Sequence, residues 1–294
     1  MGLDTSSSLI AFHRRNALKA IAGALLASPV VAASVAPTAY RLTRRGDRLY
    51  VAARINGHAV EALLDSAAET SLVDTAFAKT LKLAQAESAT AHGSGAASLE
   101  AGLAPHVRIE AAGVVIPDAT VGVIDLADVG KRLLGRPIDL IVGREIFDRA
   151  RLLIDMSAGV IRPFPARRTP RGVALPLTTG DGTERFPVAI EGTPALAEFD
   201  LGNGSGVIVS RAFVAAHLKD ARPQGVETGG GLGGAKKRAT IMLKALTIAG
   251  RAFENVPASI DDDPRQPDCN VGVGLLQHFR IVSDFSHRTI WLEG

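Results

Sequence analysis

Cysteine is nearly missing from this chain of 294 residues, which carries a single one, Cys269. One thiol makes no internal disulfide, and the seven scattered histidines fall at no ligand spacing, so the sequence implies neither a metal site nor a cofactor. Aromatic residues are scarce as well, at 4%, whereas glycine numbers 30. The core must therefore be built from Val, Ile, Leu and Ala between many tight turns, which favours β structure. A sustained excess of one charge is also lacking. The formal net charge is +3, and the short runs Arg44-Arg45 and Lys236-Lys237-Arg238 read as solvated faces, so a nucleic-acid partner and an anionic membrane surface are not implied.

Long apolar runs are absent too, with one partial exception. Residues 14–19, RRNALK, precede IAGALLASPVVAA, a short, weakly apolar stretch broken by Pro29. Residues 1–33 resemble a twin-arginine export signal with cleavage after Ala33, although the motif prefers Phe where Ala17 stands. Export places the mature protein in the periplasm or outside the cell. The other reading is an uncleaved anchor, which a spanning helix of about 20 strongly apolar residues would suit better. Removing 1–33 takes out three cations and one acid, leaving the remainder nearly neutral at +1.

What the chain does contain, it contains twice. YVAARINGHAVEALLDSAAETSLVDTAFAKTL, residues 50–81, is followed far downstream by FPVAIEGTPALAEFDLGNGSGVIVSRAFVAAHL, residues 186–218. Each copy reads as strand, turn, strand ending on an acid (Asp65 or Asp200), then a helix capped by Asp74 or Ser210. Asn56-Gly57 is a strong hairpin signal because both turn positions want positive φ. A Gly-rich stretch follows in each copy, residues 92–98 and 229–234, then a strand pair about Gly113 or Gly250. Each copy closes on a block that sets Gly143 on Gly272, Arg151 on Arg280, Asp155 on Asp284 and Ile161 on Ile290. The stretch PFPARRTPRG, residues 163–172, suits a linker. The expected organisation is a first lobe at 40–165 and a second at 172–294.

An apolar-apolar-Asp-small-small motif with a distant apolar-apolar-Gly block, present twice, resembles the aspartic proteases. LLDSAAETS with LIVGRE is similar to the retroviral-type enzymes, and the two lobes are similar to pepsin. The resemblance implies a mainly β fold of two closed-barrel lobes with short helices, and an endopeptidase that acts on peptide or protein substrate as a monomer. It implies catalysis by Asp65 and Asp200: two carboxylates within hydrogen-bond reach cannot both ionise cheaply, so one acts as base on water while the other, protonated, polarises the carbonyl. It implies loop support from Ser66, Ala67, Leu201 and Gly202, from Gly143 and Gly272, and from a Glu69–Arg144 pair bracing the first loop. Leu201 stands where a hydroxyl is expected and Ala67 where glycine is. It also implies flaps over the substrate that carry His92, Gly93, Gly95, Gly231 and Gly233.

The G-x-G-x-x-G match at Gly229, Gly231 and Gly234 lacks the βαβ context of a dinucleotide site and reads as a hairpin tip. Asp261-Asp262-Asp263 reads as a solvated run, and Asp155 and Asp284 as turn residues. Leu201 and Ala67 keep a second reading open, that of a protease-like scaffold that binds peptide or protein without cutting it.

Overall fold

The computed structural model describes residues 38–294 apart from 181 and 205, so the export segment expected at 1–33 lies outside the described residues. Strands dominate, in two sheets. The duplication in the sequence is a duplication of elements. In the first half Arg48–Ile55 turns through Asn56 and Gly57, at φ 47° and 83°, into His58–Leu64. In the second, Thr183–Ile190 turns through Glu191 and Gly192, at 49° and 82°, into Thr193–Phe199. Asp74 caps the helix Thr75–Thr80 by accepting from the amides of Ala76 and Phe77, and Ser210 caps Arg211–His217 by accepting from Phe213.

The pairings match strand for strand. His58–Leu64 runs parallel to Leu140–Val142, in register Leu63 to Ile141; Thr193–Phe199 runs parallel to Cys269–Val271, in register Glu198 to Asn270. The long hairpins Leu99–Ala111 with Val114–Ile124 and Lys236–Ile248 with Arg251–Asp261 are the strand pairs expected about Gly113 and Gly250. Each pairs back onto the first long strand of its own half.

The halves are joined by strands as well as by side chains. Arg280–Asp284 of the second half pairs antiparallel with Leu152–Asp155 of the first, which extends one sheet to 13 strands. Buried apolar residues from both halves form one continuous cluster. At its centre the few aromatics gather: Phe147 stacks on Phe285 with centroids 5.2 Å apart, and Phe199 meets Phe285 edge-on at 6.2 Å.

Ion pairs cross the same junction. Arg151 donates to Asp284 through Nε at 2.7 Å and Nη2 at 2.6 Å, and in the mirrored position Arg280 lies 3.5 Å from Asp155. Both acids also hold their turns, through Ser157 and Ala158 or through Ser286 and His287, as read from the sequence. The turn reading missed the crossed pairing, because the arginines come from the opposite halves. The solvated reading of Arg238 and Asp261 is corrected outright. They are 4% and 3% exposed and bond at 2.6 Å, and Lys236 also binds Asp261.

Candidate active site

Each strand that precedes an acid stops there for the same local reason. Asp65 donates its amide to Val142 and Asp200 donates to Val271, the last bonds to the strands that run parallel with theirs. The chain then turns tightly about the side chain: Asp65 Oδ1 accepts from the amides of Ala67 (2.9 Å) and Ala68 (3.0 Å), and Asp200 Oδ1 accepts from Gly202 (2.8 Å) and Asn203 (2.9 Å). The two loops face one another closely enough that a Cβ on Gly202 would collide with the Asp65 carboxylate. Here glycine is required by space alone.

Ser66 spans the two loops. Its hydroxyl donates to the Phe199 carbonyl at 2.8 Å and accepts from the Leu201 amide at 2.9 Å, in a buried position. Leu201 is fully buried in the main core and returns no such bond. Ser66→Ala leaves that carbonyl and amide unpaired in the interior, and is expected to cost about 1–3 kcal/mol in urea unfolding; a loss below about 0.5 kcal/mol would show the bridge to be idle.

Gly143 donates its amide to Ser71 Oγ and Gly272 donates to the Gly206 carbonyl, each at 3.0 Å. The next residue in each block makes the same bond, Arg144 N to Ala68 O and Val273 N to Asn203 O, each 2.9 Å. The expected Glu69–Arg144 pair is not formed. Arg144 turns to the second half instead, bonding Glu184 at 2.9 Å and the carbonyl of Gly182, with Asp148 at 3.0 Å on its own side. Glu184 is 1% exposed and also binds Arg288, so a buried carboxylate outcompetes Glu69 for the guanidinium. Glu69 lies over Gly182. The acid bracing the first loop is Glu145, which accepts from the Ser71 amide at 2.6 Å and from the Ser71 and Thr70 hydroxyls. Sequence reading passed over it. The acid directly after Arg144 at a helix start was the signal.

The flap candidates meet each other. Gly95 donates its amide to the Leu232 carbonyl at 2.8 Å, Ala97 donates to Gly233 at 3.0 Å, and the Gly231 amide donates to Ser94 Oγ at 2.8 Å. A Cβ on Gly93 or Gly95 would strike the Leu232–Gly234 backbone. Two arginines clasp the joined tips: Arg132 reaches the carbonyls of Gly230 (2.7 Å) and Gly231 (2.9 Å), and Arg238 that of Ser94 (2.8 Å). Leu232 packs on a small apolar cluster that includes Leu63 and Ile141, beside Asp65. His92 bonds Ser98 at 2.8 Å within its own loop.

Electrostatics single out the two acids. Burial, then the neighbouring Asp200 charge, pushes Asp65 up to about 7 against the Ala67 and Ala68 amides. Burial also raises Asp200, opposed by Asn270, the amides of Asn203 and Gly202, and Arg48. A third carboxyl, Glu198, is raised by burial and by Asp200. Groups that share protons in this way titrate as a set. Among the described residues no group of His, Cys, Asp and Glu is arranged to hold a metal ion.

Residues 51–146, about a third of the chain, match a family model described as aspartyl protease. The match includes Asp65, Ser66 and Gly143, and supports a protease-type function. No match was found among curated proteins.

Proposed function

We infer that the protein is an aspartic endopeptidase in which Asp65 and Asp200 act together on a water molecule. The observation that carries this reading is the approach of two half-buried carboxylates on facing loops, close enough that a Cβ on Gly202 would collide with that of Asp65, each cradled by two backbone amides. One carboxylate takes a proton from water as the water oxygen attacks the peptide carbon, while the other gives its proton to the carbonyl oxygen; the proton held by the base then passes to the leaving nitrogen as the C–N bond breaks, and the second carboxylate recovers its proton from a hydroxyl of the diol as the product carboxyl forms. Each half is a closed-barrel lobe of pepsin-like kind, supported by the cyclic strand pairing within it. The Gly-rich tips at 92–98 and 229–234 are the flaps, which part to admit an extended peptide and close over it. A single chain supplies both acids, so a monomer suffices. The leader at 1–33 resembles an export signal, which puts the working enzyme in the periplasm or medium.

A second reading, a peptide-binding scaffold without turnover, is favoured by Leu201, which supplies no hydroxyl to the loops, and by the bonded flap tips. Incubation of the protein with a diverse peptide mixture from about pH 4 to pH 7, beside Asp65→Asn and Asp200→Asn, separates the two. Cleavage products are expected from the parent alone. Peptides retained intact, and equally by all three proteins, would instead establish the scaffold.

A further inference from the structure

The two acids do not have equivalent surroundings, and three of the positions that differ bring polar side chains to Asp200. Two residues before Asp200 stands Glu198, where the first half has Leu63. Three residues after it stands Asn203, where the first half has Ala68. Two residues before Gly272 stands Asn270, where the first half has Ile141. The ladder register repeats this contrast, Glu198 opposite Asn270 against Leu63 opposite Ile141. All three polar residues belong to one network. Asn270 Nδ2 donates to Asp200 Oδ2 at 2.7 Å and to Glu198 Oε2 at 2.6 Å, and its oxygen accepts from Asn203 Nδ2 at 2.7 Å. Two carboxyl oxygens on one side and an amide donor on the other leave only one orientation for the Asn270 side chain.

We propose that Asn270, held by Glu198 and Asn203, makes the two acids unequal, so that Asp200 carries the negative charge and accepts the proton of water while Asp65 carries the proton given to the carbonyl. The part concerning water rests on the hydrolase reading; the ordering of the two charges does not. A donor aimed at an oxygen favours its ionised form. Asp200 has that donor beyond its two backbone amides, and the charge of Arg48 from the first half, whose guanidinium lies against Gly204, favours the same form. On Asp65 the corresponding neighbours are the apolar Leu63 and Ile141. The other groups facing this cluster are Thr183 and Arg185 on the adjoining strand, both beside Glu198, and the buried Cys269 thiol. Glu198 and Asn270 are thus positioning residues, acting through Asp200.

The test reads the carboxyl carbons directly. Full-length protein labelled with ¹³C is titrated by NMR, and the two resonances are assigned by their loss in Asp65→Asn and Asp200→Asn. Asp200 is expected to move in the lower pH step and Asp65 in the upper. Asn270→Ile, which installs the residue of the first half, is expected to raise the lower step by about one pH unit, tenfold in proton affinity. Asn203→Ala, a gentler change should Asn270→Ile not fold, is expected to raise it less. Glu198→Gln keeps an acceptor for the amide and should preserve the order. Asp65 moving first, both moving together, or a lower step indifferent to Asn270→Ile and Asn203→Ala would overturn the proposal. If peptides are not cleaved while the order holds, the hydrolase reading falls and the ordering of charges remains.

Discussion

At pH 7.5 the Asp65→Asn variant is expected to lose peptide cleavage by about 10³-fold and yet to melt at a higher temperature than its parent. The two effects have one cause. A carboxyl whose folded-state value is raised from 3.8 to about 7 contributes stability that is whole below about pH 4 and is lost as pH rises through about 7. Near neutrality the fold must either keep that proton, which the proposed reaction uses, or hold a second negative charge beside Asp200. Each unit of raised pKa corresponds to about 1.4 kcal/mol, so the parent should lose a few kcal/mol between pH 4.5 and pH 8. An asparagine can still accept from the Ala67 and Ala68 amides but has no charge to develop. Melting curves at pH 4.5, 6 and 7.5 should show a shallower pH dependence for the variant. Parallel curves, with the variant lower throughout, would mean that Asp65 does not carry a raised, shared proton.

The second large effect is expected at the junction of the halves. Asp284→Ala should cost about 3–5 kcal/mol, because it strands the Arg151 guanidinium where the carboxylate was buried. Asp155→Ala, at the mirrored position, should cost less than about 1 kcal/mol. The distinction lies in geometry. Asp284 is 1% exposed and takes two short bonds from Arg151, with Ser286 and His287 on its other oxygen, whereas Arg280 is 3.5 Å from Asp155 and its side chain is 43% exposed. Burial pushes Asp284 up, but the bonds from His287, Arg151 and Ser286 outweigh it and hold the carboxyl below its ordinary value. Its contribution is therefore present above the unfolded value and is lost as pH falls through the folded one. Chemical unfolding at pH 7 and again near pH 3 should show the gap between the variants narrowing in acid; equal costs at pH 7 would refute the assignment.

Much of this arrangement is legible along the chain, because its signals are local. Turn dipeptides, helix caps, the strand-ending acids and the hydroxyl of Ser66 all act within a few residues of where they stand, and duplication checks each against its copy. The charged partners were not legible in the same way. Arg144 selects Glu184 over Glu69 because burial decides between acids, and burial is a property of the assembled halves. Lys236, Arg238 and Asp261 look solvated in a line of text but are neighbours across a hairpin. Glu198, Asn203 and Asn270 fall between these cases. Setting the copies side by side exposes them as three polar departures from Leu63, Ala68 and Ile141, but only the parallel ladder brings residues 198 and 270 together.

The strand exchange between Leu152–Asp155 and Arg280–Asp284 limits how independent the halves can be. A fragment ending near residue 165 would carry a bare edge on Leu152–Asp155, and one beginning near 172 would carry the complementary edge on Arg280–Asp284. Unpaired edges seek other strands, so each piece alone is primed to capture a copy of itself. Together, the two pieces would find in one another the partner that an unbroken chain supplies by its continuity.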